Sequence, residues 1–131
     1  VFSFSVVLEF INNCSVDKKL LEEFTMHKIY NKLVRDRIPE IIKESKQIPD
    51  YIILSDEEYA VELDKKLKEE TLEYLENKDI EELADVFEVL YAICEVRGIS
   101  EEEIVEVRKK KTEVRGAFHE KILLKSVKKQ I

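Results

Sequence analysis

Residues 68–85, KEETLEYLENKDIEELAD, set carboxylates at spacings that can bring them together. Glu70 and Glu73 stand three residues apart, as do Glu82 and Asp85, so on a helix each pair projects to one side. Folding two such helices back on each other about the Asn77–Lys78 turn puts residue 73 opposite 82 and 70 opposite 85. Four carboxylates converging beside an apolar seam repel one another unless a divalent cation neutralises them. Oxygen-only donors select hard ions, which predicts Mg²⁺ with Mn²⁺ as a substitute. His27 and His119 are the two histidines, and neither belongs to a Glu-x-x-His pair, which argues against a ferritin-like di-iron centre. A plainer reading stands beside this one. Glu82 can be the third residue of a capping box, Asp85 an anion favoured near a helix N-terminus, and Glu70 and Glu73 solvated charges that pair with Lys66 or Asn77.

The elements that must hold these residues declare themselves by their starts. Ser55–Glu58, Asp79–Glu82 and Ser100–Glu103 each place a capping residue three positions before a Glu. They predict helices near 56–76, 80–97 and 101–115, with a shorter one near 36–45 where Pro39 suits a first turn. Residues 77–79 and 97–100 read as tight connections, 46–54 as a loop or extended link, and 117–127 as extended chain or a short strand. At roughly 100° per residue the helix after Ser55 carries an apolar seam of Ala60, Leu63, Leu67 and Tyr74, with Glu70 at its edge. The next helix is apolar on two sides. One side is Ile80, Leu83, Phe87, Leu90 and Cys94; the other, Val86, Val89 and Ile93, continues in line from Glu82 with Asp85 at its flank. A helix apolar on both sides must be covered on both, so a helical homodimer or higher homo-oligomer with this helix at the interface is expected.

Length and charge narrow the field. A chain of 131 residues supports one compact domain, and its two Gly and two Pro suit long helices with few turns. A net charge of −7 disfavours a duplex nucleic-acid footprint, which needs a basic face. Cys14 and Cys94 form no disulfide framework and have no metal-ligand spacing, so a reducing cytoplasm is the expected setting. No apolar run reaches the roughly 20 residues that span a bilayer, so no membrane partner is expected. Residues 1–25 resemble a signal peptide only superficially: a basic start is missing and Glu9 interrupts the apolar run. They are expected to lie outside the working domain, 26–131, either upstream of an internal start at Met26 or as a strand-and-helix extension.

The motif EETLE (69–73) followed by ELAD (82–85) resembles the EExxE…ExxD signature of the all-α nucleoside triphosphate pyrophosphohydrolases. That superfamily includes MazG-type enzymes, dimeric dUTPases and phosphoribosyl-ATP pyrophosphohydrolase. Residues 30–42, YNKLVRDRIPEII, and 114–125, VRGAFHEKILLK, are similar to a small MazG-like branch, and the resemblance spans about residues 27–127. It implies an all-α antiparallel helical bundle of the MazG-like type, completed by dimerisation. It also implies that Glu70, Glu73, Glu82 and Asp85 hold Mg²⁺, and that Glu69 orients or deprotonates the attacking water. The alternative for Glu69 is an exposed helix charge. The short spacing between the half-motifs implies a tight hairpin and a reduced wall around a base pocket.

The implied reaction is Mg²⁺-dependent hydrolysis of a nucleoside triphosphate to the monophosphate and pyrophosphate, in the removal of noncanonical nucleotides. One alternative is phosphoribosyl-ATP hydrolysis in histidine biosynthesis. Another, of a different class, is a non-catalytic helical dimer that binds nucleotides or a protein. A departing pyrophosphate needs basic partners. The candidates are Lys32 and Arg35, and Lys111 and Arg115, which share a helix face at i, i+4; cations at a helix C-terminus also suit its dipole without any substrate.

Overall fold

The computed structural model describes residues 27–131, so the expectations for residues 1–25 lie outside the described residues. The chain divides into two units, one ending at Lys32 and the other running from Leu33 to Ile131. In the first unit the Lys28 and Lys32 ammonium groups lie 5.1 and 5.9 Å from the centroid of the Tyr30 ring.

The second unit contains α1 (Ile38–Glu44), α2 (Asp56–Asn77), α3 (Ile80–Val96) and α4 (Glu101–Arg115). All regular structure among the described residues is α-helical. The three long helices begin where the capping residues predict. Ser55 accepts from the Glu58 N–H at 3.2 Å, Asp79 from the Glu82 N–H at 2.9 Å and Ser100 from the Glu103 N–H at 3.1 Å. Each bond satisfies a donor that the helix itself cannot, a contribution of about 1 kcal/mol apiece.

The α2–α3 hairpin is the centre of the unit. Lys78 ends α2 in the left-handed region at φ 58°, its N–H donating to the Tyr74 carbonyl at 2.7 Å. Asp79 then caps α3, so only two residues separate the helices. Along the contact, Leu63 and Val89 are buried, with Ala60, Leu67, Val86 and Ile93 half-buried around them. These belong to the seam of α2 and to the Glu82-side face of α3. The opposite face of α3 is open: Ile80, Leu83, Phe87, Leu90 and Tyr91 are all exposed.

At its far end α3 closes through Gly98, whose φ of +70° lets its N–H reach the Glu95 carbonyl and the Ile99 N–H reach that of Cys94. The chain then enters α4, which touches α3 sparsely and is exposed throughout. Of the two alternatives for residues 117–127, extended chain or a short strand, the strand is not taken. No strand forms there, because the described residues contain no strand for it to pair with. A turn at 119–120 interrupts an otherwise irregular, exposed segment.

Candidate metal centre

The carboxylates gather at the turn end of the α2–α3 hairpin. Glu70, Glu82 and Asp85 each offer an oxygen, and the three oxygens lie within 4.8 Å of one another. The expected pairing of 70 with 85 across the hairpin is therefore present, and Glu82 joins it from the adjacent turn of α3. Glu73 is outside this triple but beside it. Burial pushes its carboxyl above the usual 4.5, and the charge on Glu70, a hydrogen bond with Glu70 and the charges on Glu82 and Glu69 push the same way.

Glu70 is the most enclosed of the set, at 7% exposure. Its Oε1 accepts from Lys66 Nζ at 3.1 Å, one helical turn back, and Lys66 also reaches Glu69 Oε1 at 3.3 Å. Glu70 Oε2 is buried with no hydrogen-bond partner in the ionised cluster. A proton on Glu73 can supply a donor to Glu70, or a cation can take a lone pair from that oxygen and neutralise its charge. Glu82 shows the same asymmetry. Its Oε1 accepts from Asn77 Nδ2 at 3.1 Å, while its Oε2 is buried without a partner. Its carboxylate is thus held by the end of α2, not merely carried as a capping charge. Two orphaned oxygens inside one cluster are costly unless something positive binds them. The donor set, oxygen alone, fits a hard divalent ion.

Asp85 is met from another direction. Arg35, on the irregular segment before α1, places Nη2 2.6 Å from Asp85 Oδ1. Arg35 therefore belongs to the centre, although its present partner is a carboxylate. Lys111 and Arg115 are exposed on α4 and make no ion pair among the described residues. Lys32 falls in the first unit, near Tyr30. The structure thus brings together Glu69, Glu70, Glu73, Glu82, Asp85 and Arg35 of the residues singled out in the sequence. The pairing of Glu70 with Lys66 that the plainer reading expects is present, but it is buried and not solvated. The i, i+4 spacing is a visible signal, but a solvated surface pair has the same spacing. Asn77 is held to Glu82, not to Glu70 or Glu73.

No protein-family model matches the chain, and no solved structure matches it. A stretch of 41 residues, 31% of this chain, is 56% identical to an uncharacterized protein of Mycolicibacterium smegmatis and covers 42% of that protein.

Proposed function

We propose that the protein is a Mg²⁺-dependent nucleoside triphosphate pyrophosphohydrolase acting on noncanonical nucleotides. The observation that carries this reading is the buried, unpartnered oxygen on each of Glu70 and Glu82 within a triple completed by Asp85. The resemblance of residues 69–73 and 82–85 to the EExxE…ExxD signature supports the same reading.

Glu70, Glu82 and Asp85 would hold the cation, with Glu73 the fourth acid beside them. When bound, Mg²⁺ supplies the positive charge that lets an anionic triphosphate approach these acids and polarises its phosphoryl oxygens. The protein's own groups do the rest. Lys66 pulls Glu69 and Glu70 toward one ammonium and so restricts where both carboxylates point. Glu69 would orient a water and take its proton as the water oxygen bonds to phosphorus and the α–β anhydride oxygen leaves with pyrophosphate. Arg35, bonded to Asp85 and more than half exposed, would receive phosphate charge. The open apolar side of α3 favours a second copy as its cover: Ile80, Leu83, Phe87, Leu90 and Cys94 repeat at alternating steps of three and four, so an antiparallel copy centred on Phe87 sets apolar residues against apolar residues.

The test is hydrolysis of canonical and damaged nucleoside triphosphates and phosphoribosyl-ATP, with and without Mg²⁺, following pyrophosphate against orthophosphate. Metal-dependent pyrophosphate release is the expected result, and the preferred substrate separates nucleotide clearance from histidine synthesis. Mg²⁺ binding without turnover of any substrate would favour a non-catalytic nucleotide-binding dimer.

A further inference from the structure

Two internal cations already sit on the acid cluster, and they differ in freedom. Lys66 is tied to the same helix as Glu70, one turn away, and its side chain is 15% exposed. Arg35 comes from an irregular segment 50 residues distant in sequence, its side chain is 55% exposed, and among the described residues its bond is to the Asp85 carboxylate. That carboxylate is 39% exposed and opens the cluster to solvent.

We propose that Arg35 is a removable counter-ion that exchanges between Asp85 and the substrate's phosphates. Without a divalent cation the guanidinium neutralises Asp85 and limits its repulsion of Glu70 and Glu82. A divalent cation draws on the same Asp85 carboxylate and is repelled by the guanidinium beside it, so the two compete. Once displaced, Arg35 lies at the mouth of the site with its planar donors free, a geometry suited to two phosphate oxygens at once. The exchange makes occupation by metal and by a phosphate chain mutually reinforcing, since phosphate removes the competitor for Asp85. It also holds the site partly closed to free metal. The inference rests on the reading of Glu70, Glu82 and Asp85 as a cation site.

The test uses the full chain and needs no turnover. Free Mn²⁺ is measured by electron paramagnetic resonance while Mn²⁺ alone is titrated into the wild-type protein and into Arg35→Gln. The exposed position of Arg35 lets the variant fold, which circular dichroism checks, and Arg35→Lys provides a second variant that keeps the charge but loses the fork. The expected result is tighter Mn²⁺ binding by Arg35→Gln, on the order of threefold or more, and a smaller change for Arg35→Lys. In the presence of metal, a triphosphate with a methylene in place of the α–β bridging oxygen should bind both variants several-fold more weakly than wild type. Unchanged or weaker Mn²⁺ binding by Arg35→Gln, with wild-type binding intact, overturns the exchange, as does unchanged triphosphate affinity. If neither chain binds Mn²⁺, the cation-site reading itself falls and takes the exchange with it.

Discussion

Glu82 is the acid whose removal gives the cleanest answer. Unlike Glu70 and Asp85 it is paired with no Lys or Arg among the described residues; Asn77 holds one of its oxygens and the other is buried and unpartnered. Glu82→Gln removes a charge from the cluster and lets the new amide donate to a neighbouring carboxylate. In metal-free buffer the variant should be more stable than wild type by about 1 kcal/mol, roughly 4–8 °C in melting temperature, while Mg²⁺ affinity and pyrophosphate release are lost. A less stable variant in metal-free buffer would mean that the acid has a structural role. Glu73 gives the matching pH experiment. Its folded-state pKa lies above the ordinary 4.5, so the folded form holds that proton more tightly than the unfolded chain. The contribution is full below 4.5 and is lost as pH rises through the folded value. Wild type and Glu73→Gln should therefore melt alike in acid, with the variant pulling ahead as pH climbs above 4.5 in the absence of metal. Parallel melting curves across that range would remove Glu73 from the cluster's electrostatics.

Among the helices, stability is concentrated where α2 meets α3. Leu63 and Val89 are the buried apolar side chains of the described residues, so a cut there has little else to fall back on. Leu63→Ala should cost about 2–5 kcal/mol and unfold the hairpin cooperatively, seen as loss of helical circular dichroism at moderate urea. The three long helices were readable in advance because Ser55, Asp79 and Ser100 are local signals: a capping side chain three residues before a Glu acts within a single turn. The hairpin register was readable for a related reason, since a two-residue connection leaves little choice of which levels meet. Arg35 was not readable as a partner of Asp85, because no local rule links positions 50 apart in the chain. In sequence, residues 117–127 leave two alternatives open, extended chain and a short strand. Their apolar content suits a strand, but a strand depends on a neighbour, and none among the described residues provides one.

For the molecule as a whole, the open side of α3 is the outstanding account. Ile80 is 80% exposed and Phe87 57%, on a face without a charged residue between them and Leu90. Phe87→Glu should leave the single-chain hairpin helical yet convert a dimer to a monomer at micromolar concentration, read by light scattering. A wild-type monomer under those conditions would remove the second copy from the reading. The carboxylate triple needs no second copy to assemble: all its members come from one hairpin.

That last feature reaches into how quickly the chain folds. Two residues join α2 to α3, so the hairpin closes through local contacts of low sequence separation, the kind that form early on the way to the native state. The acids flank that closing turn, with Asn77 and Glu82 already bonded across it. Their repulsion is therefore felt on the ascent to the barrier and not only after it. Divalent ions should quicken refolding, raising the rate of stopped-flow helix formation, rather than merely slowing the reverse reaction. The acidic end of the hairpin would then act as a brake on nucleation that a divalent ion releases.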